Sequence, residues 1–204
     1  MHYLKVDAQD VKEDAQVIDA QVGSRSTSVN RVVAVADGVD RVVGVVCRAI
    51  VLVTVVAMLV VLGANVVARY ALGEGGLTWA SEVPEQLFPW LIAAGIVLGV
   101  QHGAHIAVDL LPSVLGDGGR RLLIVAVSLL VAATYLVFLV VVLYVAGLAA
   151  VERSPILQIP RSLGYYALGF AALLTAVCSL TIAVRVALLG PDAAPQPNPE
   201  ESPT

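Results

Sequence analysis

Four apolar runs, none carrying more than one formal charge, constrain this sequence more than any other feature. Val42 to Ala64 gives 23 residues, about 34 Å as a helix, enough to cross a hydrocarbon core of about 30 Å with some tilt. Leu122 to Val151 gives 30, about 45 Å, so that span has to tilt strongly or project beyond the lipid. Leu163 to Leu189 supplies another. The remaining run, Leu87 to Val100, has 14 residues, about 21 Å, which is too short unless its polar flanks join the helix. Ser81 is the expected N-cap, Pro84 fits a first turn, Pro89 is expected to kink the helix, and Pro112 bounds its far end. The spans are therefore expected at about 42–64, 82–111, 122–151 and 163–189. Short connections then make the fold an all-α integral membrane protein, four transmembrane helices in a bundle.

Composition agrees, with 58% hydrophobic residues, 14% charged and a mean hydropathy of +0.87, where soluble chains carry about 25% charged residues. The net charge of -4 resides largely at the two ends and excludes a basic nucleic-acid footprint, so no nucleic-acid partner is expected. Cys47 and Cys178 each stand alone in an apolar run and read as packing thiols rather than a redox or zinc motif. The polar start of the chain offers no secretory core, so the first span is expected to be an uncleaved anchor.

Residues 1–28 place Leu4, Val11 and Ile18 one heptad apart and read as an N-terminal extension, either a weak helix or a solvated tail. Ser24 to Ser28 is expected to break it. Residues 29–41 show a helical apolar stripe with Arg31, Asp37, Asp40 and Arg41 interspersed, the pattern of an interfacial amphipathic helix. The tail from Gly190 to Thr204 holds five of the ten prolines and is expected to be disordered. Arg25, Arg31, Arg41, Arg48, Arg120, Arg121 and Arg185 fall on one side, against Arg69, Arg153 and Arg161 on the other. That bias puts both termini in the cytoplasm, with loops 65–81 and 152–162 outside.

Three groups of residues invite chemistry. His102, His105 and Asp109 share one helical face, a partial metal site or simply the polar face of an emerging helix. Arg69 and Glu82 end successive helices at one depth and are expected to pair; the alternative for Glu82, with Glu85, is an external proton or cation site. Gly95, Gly99 and Gly103 recur every four residues, a smooth face expected to pack closely on another helix. Trp79 and Trp90 fit interfacial anchoring or packing and require no cofactor. The spans show no broken helix pair and no internal repeat that would build a mid-membrane substrate site.

In order and spacing, Arg69-Tyr70, Leu77-Thr78-Trp79-Ala80-Ser81-Glu82, Trp90, Gly95 and His105-Ile106-Ala107-Val108-Asp109-Leu110-Leu111 resemble the small permease subunit (DctQ-type) of TRAP transporters. The likeness continues through Ile159-Pro160, Tyr165-Tyr166 and Arg185, about residues 42–186. Where the family commonly has paired glutamates after the tryptophan, this chain has Ser81-Glu82, so Glu82 alone inherits that role. The resemblance implies a subunit of a sodium-driven, tripartite uptake system for organic anions such as dicarboxylates or sialic acid. It also implies a bacterial inner-membrane location, and as partners a large permease subunit, a periplasmic substrate-binding protein and membrane lipid. No catalytic residue, metal or cofactor is implied. The competing readings are a small membrane metalloenzyme using His102, His105 and Asp109, and a stand-alone membrane adaptor working through its N-terminal helix.

Overall fold

A computed structural model of the chain describes residues 8–72, 76–101 and 116–194, with 8–28 as backbone only. Four helices account for most of it: α1 Ala8–Leu72, α2 Glu82–Gln101, α3 Asp117–Ala149 and α4 Ser162–Leu189. Each contains a stretch long and apolar enough to cross a membrane. No strand occurs among the described residues. A 3-10 turn, Thr78–Ser81, leads into α2, and another, Pro191–Ala193, follows α4.

The separate interfacial helix expected at 29–41 does not appear, because α1 runs unbroken for 65 residues. The first proline of the chain is Pro84, so nothing forbids continuation. The Ser-Arg-Ser-Thr-Ser segment carries only modest propensity penalties, each below about 0.7 kcal/mol. Its apolar part alone, Val29–Ala71, spans 43 residues, about 64 Å and twice the hydrocarbon thickness. The helix therefore tilts steeply or extends beyond the lipid. Buried and half-buried positions on α1 include Ala36, Asp40, Val43, Cys47, Ile50, Thr54, Ala57 and Val61, alternating steps of four and three, the seam of left-handed helix packing.

α4 is the central element. Half of its apolar window is buried within the chain, against 22% for α2 and 11% for α1 and α3. Small residues explain this: Ala167, Gly169, Ala171, Ala172, Thr175, Ala176, Cys178, Ser179 and Ala183 are all buried, so neighbouring helices approach α4 from more than one side. α3 packs along α4 more extensively than any other pair, α2 packs against both α1 and α4, and α1 and α3 make no substantial contact. The bundle is an open layer, with α1 and α3 at its edges and their exposed valines and leucines turned outward.

Where α1, α2 and α4 meet, Val43, Cys47, Ala93, Ala94, Val97, Val100, Ala167, Ala171 and Cys178 form the core. The inward face of α2 is thus its alanines. Gly95 and Gly99, on the face expected to pack closely on another helix, are turned away from the described helices, with nothing within 4 Å of an added Cβ. They extend an exposed stripe through Glu85, Phe88, Ile92 and Ile96. Gly103 lies outside the described residues.

This assignment of faces has a direct test by thermal unfolding in detergent. Gly95→Ala should leave the isolated chain as stable or raise its stability by up to about 1 kcal/mol through helix propensity. Ala94→Leu, at a fully buried position, should cost about 1–3 kcal/mol through overpacking.

Candidate functional site

Polar groups concentrate at the two ends of the helical layer. At the end carrying the α3–α4 loop, Glu82 opens α2 and is only 6% exposed. Its carboxylate accepts hydrogen bonds from the backbone amides of Ile156 (2.9 Å) and Leu157 (2.8 Å). Those amides sit side by side because the loop folds as a miniature hairpin. Arg153 and Pro160 bridge its base, and Ser154 N donates to Ile159 O at 2.9 Å. Gln158 takes a left-handed φ of 54° that closes the tip. Consecutive amides in such a turn form a concavity for an anion, and Glu82 fills it. Ser154, itself buried, receives the Ile159 amide on its hydroxyl at 3.2 Å.

The expected Arg69–Glu82 pair is therefore corrected: the glutamate is satisfied by loop amides, and no ion pair joins it to Arg69 among the described residues. Arg69 lies exposed in the last turn of α1. Nearby, Asn65 Oδ1 accepts from Leu77 N at 2.7 Å, tying the α1–α2 connection back onto α1. Gly76 permits this with a φ of 85°, and a Cβ there would stand 2.8 Å from the same Asn65 oxygen. Ser81 does not cap α2; its hydroxyl donates to Thr78 O at 3.0 Å inside the preceding 3-10 turn.

Tyr70 and Trp79 are exposed at this end, where amphipathic rings suit a membrane–water interface. Trp90 lies deeper, half-buried against the core and 5.8 Å from the Phe170 ring in a tilted contact. His102, His105 and Asp109 lie outside the described residues. Among the described residues, no group of three or more His, Cys, Asp and Glu could hold a metal ion.

At the opposite end, a network absent from the expected sites ties three helices. Arg185 of α4 pairs with Asp40 at 2.6 Å and Asp37 at 2.9 Å, both on α1. Thr181 donates its hydroxyl to Asp40 at 2.8 Å. Gln101, at the end of α2, donates to the Asp40 carbonyl at 2.8 Å. Gly44 leaves room for that glutamine, since a Cβ there would lie 3.0 Å from its Oε1. Arg120 reaches Asp192 at 3.2 Å and Arg121 donates to the Ala187 carbonyl, fastening α3 to the end of α4. The acids at i and i+3 before the first apolar run, level with an arginine near the end of the last, were the available signal.

Together these contacts hold the layer at both ends, and between them the buried polar groups described include the hydroxyls of Thr54 and Thr175. Glu82→Ala should remove the acceptor of the Ile156 and Leu157 amides, lower the melting temperature of the chain in detergent, and raise protease access to residues 152–161. A double-mutant cycle with Arg69→Ala should show coupling below about 0.5 kcal/mol; a larger value would restore the direct pair.

Comparison with known proteins agrees with this architecture. The family model for tripartite ATP-independent periplasmic transporters, DctQ component, matches residues 57–189. An uncharacterized protein, y4mM, of Sinorhizobium fredii (strain NBRC 101917 / NGR234) is 41% identical over 145 residues, covering 71% of this chain and 27% of that protein. The ectoine TRAP transporter small permease protein TeaB of Halomonas elongata is 41% identical over 66 residues, covering 32% of this chain and 34% of that protein. The chain thus spans about a third or less of the length of these relatives. No solved structure matches it. With the family model covering well over half of its length, and four helices fit to span a membrane, the chain belongs to the DctQ component family of tripartite ATP-independent periplasmic transporters.

Proposed function

We propose that this chain is the small membrane subunit of a tripartite, sodium-driven transporter for uptake of an organic anion, and that it serves as a scaffold for a large permease subunit. It sits in the bacterial inner membrane with both termini in the cytoplasm, so the Glu82-locked loop at 152–161 faces a periplasmic substrate-binding protein. The positive-inside bias of the arginines supports that orientation.

One observation carries the scaffold reading: the small-residue stripe of α2 is turned outward. Glycine in a helix interior gives up roughly 1 kcal/mol of propensity relative to alanine in soluble hosts, and close approach of another backbone is the usual compensation in lipid. Gly95 and Gly99 have no such neighbour within the described chain, so the neighbour is a second polypeptide. The charged residues described cluster at the two ends of the helices, and the mid-depth threonines Thr54, Thr134 and Thr175 sit on continuous helices rather than on the broken helices where secondary transporters hold cargo and coupling ions. Cargo and sodium therefore belong to the partner, and cargo identity follows the partner too; the Halomonas elongata relative is named for ectoine.

Purification from native membranes in mild detergent should bring down a larger membrane protein with this chain. Gly99→Leu should reduce that association by about tenfold, equivalent to about 1.4 kcal/mol, without changing the melting of the isolated chain. The chain in liposomes, supplied with binding protein alone, should move no solute. Unaided transport, or undiminished association of Gly99→Leu, would remove the scaffold reading.

A further inference from the structure

At the end of the layer that carries Arg185, a cleft of about 260 Å³ opens between α1, α2 and α4. Asp37, Asp40, Arg48, Gln101, Ile182 and Arg185 line it. It lies toward one end of the apolar spans, the level of the headgroups when those spans cross a bilayer. Arg48 stands in the second turn of the apolar run that starts at Val42, Gln101 directly follows the apolar run Leu87 to Val100, and Arg185 lies one turn before the end of α4. On α1, Asp37, Asp40, Gly44 and Arg48 follow steps of three, four and four, so one helical face presents both ends of the cleft.

The charges in this cleft are divided. Asp37 and Asp40 share the single guanidinium of Arg185, which leaves that group one negative charge in excess. Arg48 is exposed and makes no ion pair among the described residues. The cleft therefore has a negative pole and a positive pole, complementary to a ligand bearing both charges a few ångströms apart. A purely anionic headgroup would meet two carboxylates, and a purely cationic one would meet Arg48. An arginine also matches phosphate geometry better than a point charge does. Along the helix from Arg48, Leu52, Val55, Leu59 and Leu62 are all exposed at steps of four, three, four and three, an apolar track for an acyl chain toward the membrane centre.

We propose that this cleft is a binding site for one zwitterionic phospholipid of the ethanolamine type, with its phosphate on Arg48 and its primary ammonium on Asp37. The ammonium offsets the excess negative charge of the aspartate pair, and the phosphate offsets Arg48, which has no ion pair among the described residues. Filling the site closes the gap between α1 and α4 at the end where Gln101 and Thr181 reach Asp40.

Native mass spectrometry of the full chain, released from detergent after incubation with defined lipids, tests this. Phosphatidylethanolamine should be retained as a single adduct about tenfold more tightly than phosphatidylglycerol. Arg48→Gln should weaken that adduct by about tenfold, while Arg41→Gln, at an exposed position outside the cleft, should leave it unchanged. Asp37→Asn should narrow the preference over phosphatidylglycerol by several-fold. Circular dichroism on each variant establishes that helicity is intact. Should Arg48→Gln fail to fold, the lipid preference of the unaltered chain still decides. Equal retention of the two lipids, or retention unaffected by Arg48→Gln, marks ordinary surrounding lipid and overturns the proposal. Displacement of the adduct by an equal concentration of water-soluble phosphoethanolamine assigns the cleft to a free solute and overturns it as well.

Discussion

A charged side chain beside hydrocarbon has to find its counterpart within the protein, and here that requirement fixes both ends of the helical layer. Arg185 would be isolated near the end of α4, but Asp37 and Asp40 of α1 reach it across the layer. Glu82 would be isolated at the start of α2, but the α3–α4 loop folds two amides onto it. The first contact joins α1 to α4 and the second joins α2 to the α3–α4 connection, so each helix is secured to another at one end or the other. Such ties are modest in water. Partly sheltered from it they matter chiefly because losing one partner leaves the other stranded.

Between the two ends, cohesion comes from close backbone approach. Lipid tails offer apolar side chains as good an environment as protein does, so helix association depends on packing. The alanines of α2 and α4 supply it, and α4 has enough small residues around its circumference to serve several neighbours. The result is a layer with one well-buried helix and three that remain largely uncovered. An open layer of this kind suits a component of a larger assembly. Its α2 stripe, glycines included, is a surface left open to close approach by a second backbone.

Much of this was legible in the sequence, and the rest was not for identifiable reasons. Spans are written in contiguous apolar letters, so four membrane-crossing helices followed from run length alone. The continuity of α1 through residues 24–28 runs against the break its serines and threonine suggest, because these residues weaken a helix without ending it and only proline or several glycines enforce an end. The partner of Glu82 was unreadable, since backbone amides carry no letter and the hairpin presenting them depends on a left-handed Gln158. Asp37 and Asp40 read as the polar face of an amphipathic helix and Arg185 as an orientation signal and part of the family likeness; 145 residues separate Asp40 from Arg185, and no local pattern links them. Glycine spacing on α2 was plain, but a four-residue repeat does not say which way the stripe faces. Here the alanines one and two positions before Gly95 turn inward and the glycines outward.

Whether that outward face meets protein or lipid is the central claim, and photo-crosslinking in native membranes addresses it directly. A photoreactive residue placed at Ile96, exposed between Gly95 and Gly99, should link to a membrane protein considerably larger than this chain, while the same group at Tyr144 on the exposed face of α3 serves as the comparison. A protein adduct from position 96 is the expected result. Lipid adducts alone at 96, with the protein adduct arising from 144, would contradict the account and move the partner to the opposite edge of the layer.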